Sequence, residues 1–256
     1  ILKNIFRQSN LWAFQSVQLL KGNIRFSLFL GMLYLFLYII LPSLPKLGFL
    51  MPLVVLVWPI VITIYVSFFK SLDSNKAFKF SEALKMPNES LKGLLALGVL
   101  CLFYTLLISF VLSDDLKSLV LLSKEAGEIE GLAESISHIF IKLAILSLPL
   151  YAITWFSPLL IRYNNFNLLR AVKSSFAGIL SYIIPIFITW LILFGGFLSL
   201  TFIIIFIFSL INASTIPFLS FLLVMIILII MTAYISVLFA FQYVTYRDIF
   251  KDLKTK

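Results

Sequence analysis

Residues 179–211 form 33 consecutive positions without a charged side chain, and this stretch limits the folds open to the chain more than any other. As a helix it would extend about 50 Å, against about 30 Å for the hydrocarbon core of a bilayer. No core helix of a water-soluble domain has a use for such a run, and one ordinary span cannot absorb all of it. Other apolar runs of about twenty residues, the length of a membrane span, recur along the chain. Of its 256 residues, 62% are hydrophobic and 12% charged, whereas a soluble domain has about 45–50% apolar and about 25% charged residues. The chain reads as an all-α membrane protein.

Six spans follow from the apolar runs, at 24–42, 47–69, 91–112, 138–160, 185–209 and 217–243, within a single polytopic domain over 1–256. The turn "PSLPKLG" joins the first two, with Pro42, Pro45 and Gly48 ending one helix and starting the next. Pro185 suits a first helical turn, so the fifth span begins there and 179–184 belong to a preceding surface helix. Gly195 and Gly196 then offer a bend or a close approach for a neighbour.

Charge sets the expected orientation. Sixteen Lys and Arg lie in the N-terminal stretch, in 70–92, in 162–173 and in the tail, against four (Lys46, Lys117, Lys124, Lys142) on the other side. The positive-inside rule puts both termini in the cytoplasm, and the same rule accounts for the net charge of +9 without nucleic acid as a partner. Segment 113–137, with six acids and two lysines, falls outside and is expected to form one short surface helix. No cleavable signal peptide is read in the opening "ILKNIFRQSNLWAF".

Amphipathic surface helices are expected on the cytoplasmic side. In 1–8, Ile1, Leu2, Ile5 and Phe6 share a face opposite Lys3, Asn4, Arg7 and Gln8, and Trp12 and Phe14 suit the membrane boundary. In 168–183, Leu168, Val172, Phe176, Ile179 and Ile183 form a stripe opposite Arg170, Lys173 and Ser181. The octets 14–21, 78–85 and 166–173 all fit Phe-x4-[Ala/Leu]-[Leu/Val]-Lys and each precedes two spans. They suggest three units of a surface helix followed by a membrane hairpin.

Chemistry is sparse. With one His and one Cys, a zinc site lacks ligands, and Cys101 reads as a small buried hydrophobe. No serine-hydrolase elbow, phosphate-binding loop or dinucleotide glycine pattern occurs, so no catalytic residue, cofactor or metal is expected. Asp114 and Asp115 suit the start of a helix. His138 and Lys142 share a helical face just inside the fourth span. An ionisable group there is a functional candidate, although Lys142 can snorkel to the outer headgroups with His138 beside it. Pro149 and Pro158 weaken the same span. The sequons at Asn88 and Asn212 face the cytoplasm and a very short loop. In 154–176, "TWFSPLLIRYNNFNLLRAVKSSF", Arg162 marks headgroup depth, Tyr163, Asn164 and Asn165 turn the chain, and Asn167 caps the next helix. Arg162, Arg170 and Lys173 are the candidate contacts to lipid headgroups.

Together "LPSLPKLGFLMP", "WFSPLL", "AVKSSFAGIL" and the closing "YVTYRDIF" resemble a family of uncharacterised proteobacterial inner-membrane proteins. The resemblance implies the same polytopic architecture over essentially the whole chain, although the family has more Trp near its N-terminus. In outline the surface helix plus hairpin is also similar to membrane domains beside some glycerophosphodiester phosphodiesterases. Neither resemblance brings catalytic residues.

The expected role is non-enzymatic: an integral membrane protein that organises lipids, or a membrane-protein partner, through a basic cytoplasmic face. The alternative is a transporter or channel for a lipid-like or small neutral solute, with Ser147, Tyr151, Thr154 and Thr189 lining its path. An intramembrane enzyme built on His138 or Asp115 is the third reading.

Overall fold

The computed structural model of the protein describes residues 2–44, 46–124, 129–211 and 216–251. Among them are helices and turns and no strand. Helix α1 (Leu2–Gly22) precedes α2 (Ile24–Leu35), which runs through a π-helical turn (Phe36–Ile40) into α3 (Leu41–Ser43). A 3-10 turn (Gly48–Leu50) opens α4 (Met51–Asp73). Then come α5 (Phe80–Leu84), α6 (Asn88–Val111), α7 (Ser113–Lys124), α8 (Ile129–Asn164), α9 (Leu168–Ser181), α10 (Ile183–Leu210) and α11 (Pro217–Ile249).

Among the described residues, six stretches are long and apolar enough to cross a membrane: Ile24–Ser43, Gly48–Asp73, Asn88–Val111, Ser135–Asn164, Ile183–Leu210 and Pro217–Ile249. Each contains or overlaps an expected span, and the chain is an all-α, multi-pass membrane protein. The π turn has a local cause. Pro42 cannot donate to the Tyr38 carbonyl, and the ladder widens just before it, with Leu41 N–H donating to Phe36 O. Pro185 lies in the first turn of α10, after a break at Tyr182.

The helices cluster into two compact units. The first comprises Ile1–Val54, Val61–Met86 and Ala177–Lys256. Lipid tails are as apolar as leucine, so spans adhere through close packing and interhelical hydrogen bonds rather than through the hydrophobic effect. Gly31 shows the first: a Cβ there would strike the Thr232 carbonyl and the Ser236 hydroxyl, so α2 meets α11 backbone to backbone. Beside it Ser236 Oγ donates to Ser27 O (2.5 Å) and Tyr65 Oη to Leu30 O (2.5 Å). Helix α1 lies against α10 and α11. Ser9 Oγ donates to Pro185 O (3.1 Å), and Thr189 Oγ1 is shared between Pro185 O (2.7 Å) and Ser9 O (3.3 Å).

The second unit comprises Val55–Ile60 and Pro87–Phe176. Gly98 presses its backbone on the Leu56 carbonyl, with no room for a Cβ. Tyr104 Oη donates to Leu146 O (2.9 Å) and so ties α6 to α8.

Four expectations change. Segment 113–137 is not one surface helix. Its first half is α7 and its second half, beyond 125–128 (outside the described residues), is the start of α8, which meets no proline before Pro149. The N-terminal surface helix runs the full 21 residues of α1 rather than ending at 8. Trp12, expected at the membrane boundary with Phe14, is fully buried, whereas Phe14 is 69% exposed. Gly195 and Gly196 stand within α10 with open space around them, so they admit no close neighbour from among the described residues. Pro45, Asn212 and the tail lysines Lys254 and Lys256 lie outside the described residues.

The three octets occupy unlike places. One lies in the second half of α1, one around the five-residue α5, and one at the start of α9. The long surface helices share a different relation. Helix α9 is joined to α8, which precedes it, through Ser175, whereas α1 packs against α10 and α11 at the other end of the chain.

Candidate functional site

The basic segment after the fourth span is built by two asparagines. Asn165 takes a positive φ of 52°, a conformation Asn tolerates better than most residues, and this ends α8. Asn167 then caps α9, its Oδ1 accepting from Arg170 N (2.9 Å). With the reversal set, Arg170 lays its guanidinium over the Phe166 ring at 4.1 Å and Arg162 reaches the Tyr163 ring at 5.6 Å. Arg162 is half-buried, whereas Arg170 and Lys173 are exposed.

Helix α9 has three faces where two were expected. Ala171 and Ser175 (both 0% exposed), with Gly178 and Ile179, face protein. Leu169, Phe176 and Leu180 are exposed and form an apolar strip with half-buried Val172. Arg170, Lys173 and Ser181 make the polar strip next to it. Of the expected stripe, Val172 and Phe176 hold that place, whereas Ile179 turns to the protein and Leu168 is half-buried. Apolar and basic strips side by side on an exposed helix are the arrangement of a helix lying at headgroup depth.

The protein-facing side carries an unusual contact. Phe156 N–H donates to Ser175 Oγ (3.1 Å), and Ser175 Oγ donates to Ala152 O (2.7 Å). The hydroxyl thus bonds to both ends of the Ala152–Phe156 link of the α8 ladder, between Pro149 and Pro158. A side chain inserted in the i→i−4 ladder is a recognised cause of helix bending.

At the other end of this unit, Lys142 Nζ bonds Asp115 Oδ2 at 2.6 Å, so a lysine expected to snorkel to the outer headgroups beside His138 has a carboxylate from α7. His138 and Asp115 line one open cleft of about 460 Å³ with Ser118, Ser135 and Ser137. The structure therefore brings together His138, Lys142 and Asp115, which share no sequence motif.

A third cluster, in the first unit, escaped the sequence reading. Arg247 Nη1 donates to both Asp73 oxygens (3.1 Å each), its Nη2 to Gln15 Oε1 (2.7 Å) and its Nε to Asp248 Oδ1 (2.8 Å). Tyr243 Oη donates to Asp73 Oδ2 (2.7 Å) and Trp12 Nε1 to Asp248 Oδ2 (2.9 Å). One guanidinium thereby ties α1 to the ends of α4 and α11. The available signal was the charged pair closing a long apolar run in "YVTYRDIF".

Compared with known proteins, the chain matches no protein-family model, no curated protein and no solved structure.

Proposed function

We propose that this chain is a multi-pass protein of a bacterial inner membrane, with both termini in the cytoplasm, whose basic surface helices organise anionic lipids and, through them, a membrane-protein partner. The observation that carries the reading is the three-faced α9, where exposed Leu169, Phe176 and Leu180 adjoin Arg170 and Lys173. The apolar strip enters the acyl boundary and the cations stay among phosphates. The charge asymmetry along the sequence supports the orientation, and the resemblance to proteobacterial inner-membrane proteins supports the compartment. The role is structural rather than enzymatic.

The test is detergent-free extraction followed by mass spectrometry of the co-extracted lipids. Anionic phospholipid should be enriched over its bulk fraction, and the triple variant Arg162→Gln/Arg170→Gln/Lys173→Gln should lose that enrichment. Near an anionic surface each cation contributes about 1 kcal/mol, so a change of at least an order of magnitude is expected. Equal enrichment in both proteins rules the reading out.

One observation favours a second reading, transport of a lipid-like or small neutral solute: Ser175 bonds to main-chain groups of the fourth span between two prolines. Against it, Ser147, Thr154 and Thr189 bond to main-chain carbonyls, Ser147 to Ala144 O (2.9 Å) and Thr154 to Leu150 O (2.8 Å). Solute flux into proteoliposomes decides between the two.

A further inference from the structure

Beside the Arg247 cluster lies a cleft of about 600 Å³ between α1, the end of α4 and the end of α11. We propose that this cleft binds an aminoethyl phosphodiester, the headgroup chemistry of phosphatidylethanolamine. The proposal stands whether or not the basic surface helices gather anionic lipid.

Charge is the first argument. Asp73, Arg247 and Lys76 line the cleft, and Asp248 sits behind Arg247. Two carboxylates and two cations cancel, so the site as a whole favours neither an anion nor a cation. A zwitterion fits a neutral site whose charges are held apart.

The second argument is the distribution of donors and acceptors. A carboxylate offers about four lone-pair sites. Arg247 uses one on each Asp73 oxygen and Tyr243 one more on Oδ2, which leaves room on Oδ1. The Asp73 side chain is 30% exposed, open to a ligand ammonium. Helices α1, α4 and α11 all end in this region, and helix C-termini favour positive charge. Gln18 and Asn75 add amide oxygens as acceptors. A primary ammonium has three N–H donors for such a set, whereas a quaternary one has none. Lys76 supplies the countercharge for a phosphate, and Gln15, which lines the cleft with its oxygen held by Arg247, has an amide N–H₂ left to donate.

Backbone geometry is the third argument. Asn75 has φ 51° and closes α4, with Asn75 N–H on Leu72 O (3.1 Å) and Lys76 N–H on Ser71 O (2.9 Å). This is the Schellman arrangement. It satisfies the last carbonyls of α4 and sets Asn75 and Lys76 on the rim directly after a membrane span. Leu19 and Leu72 complete the wall with apolar surface for the start of an acyl chain.

The experiment uses the full chain in nanodiscs containing equal parts of phosphatidylethanolamine, phosphatidylcholine and phosphatidylglycerol, with native mass spectrometry of the released protein. One phosphatidylethanolamine should be retained in preference to phosphatidylcholine. Gln18→Leu, Asn75→Gly and Lys76→Gln should each lower that retention at least fivefold. Asn75→Gly keeps the positive φ accessible, so its loss reports the amide rather than a misfolded turn. Arg170→Gln/Lys173→Gln should leave this retention unchanged, which separates it from the anionic lipid shell. Soluble glycerophosphoethanolamine is the competitor: no displacement supports the site with lipid as its source, and displacement at micromolar concentration supports it with the water-soluble ester as its source. Equal retention of the three lipids, or full retention in all three cleft variants, overturns the proposal.

Discussion

Ser175 Oγ stands within hydrogen-bonding distance of both ends of a link in another helix: 3.1 Å from Phe156 N and 2.7 Å from Ala152 O. One hydroxyl accepts from the first and donates to the second, so a surface helix is joined to a membrane span through main-chain groups. Because both bonds are buried and both span groups lie between two prolines, the contact is a joint and not an incidental touch.

The joint makes a direct prediction. Ser175→Ala should destabilise the protein by about 1–2 kcal/mol, the cost of leaving a buried polar group poorly satisfied. Hydrogen–deuterium exchange should quicken in peptides covering 152–158. Unchanged exchange there would mean that the α8 ladder closes without help and that Ser175 carries no support.

Two kinds of glycine should answer differently to the same substitution. Gly98→Ala puts a methyl group against the Leu56 carbonyl, where only backbone can yield, and overpacking of this kind costs about 1–3 kcal/mol. Gly195→Ala and Gly196→Ala meet nothing and should be neutral or stabilising by up to about 1 kcal/mol, the helix-propensity difference. Thermal unfolding of the three variants in one detergent makes the comparison.

Arg247 should not tolerate lysine. Its guanidinium serves Asp73, Gln15 and Asp248 at once, and a single ammonium cannot reach three partners in that fork. Arg247→Lys is expected to cost about 1.5–3 kcal/mol, the range for hydrogen bonds to charged groups. Amide exchange should rise along α1 around Trp12. A stability within 0.5 kcal/mol of wild type, a limit typical of neutral surface changes, contradicts this account of the cluster.

The ion pair of Lys142 with Asp115 should matter less. Its side chains are 38% and 26% exposed, and pairs open to solvent contribute about 0–1 kcal/mol. Lys142→Met should therefore lower stability by no more than about 1 kcal/mol, and the difference should shrink in high salt. A larger loss would mark the His138 cleft as structurally essential.

The six spans and the cap at Asn167 were legible because each depends on a short run of neighbours, and a helix break before Pro185 was legible too, although it falls at Tyr182 and leaves Ile183 and Ile184 in α10 rather than in the surface helix. Apolar length, proline position and an asparagine before a helix are properties of the linear chain. The overlong α8 was not legible. Its acidic half looks like a loop or a separate helix, and only the folded chain shows α7 turning back to pair Asp115 with Lys142.

What the sequence by itself determined is which segments enter the bilayer, since transfer of an apolar run of sufficient length needs no partner. What only the tertiary structure decided is which face of each helix meets protein. In water that face is the apolar one and a period of 3.6 reveals it. In a bilayer the lipid-facing and protein-facing sides are both uncharged, and the distinction passes to small residues such as Ser27, Gly31, Gly98 and Ser236, which gain meaning from the neighbour that approaches them. Trp12 shows the limit plainly: its indole N–H bonds Asp248, and nothing within ten residues of either predicts the other.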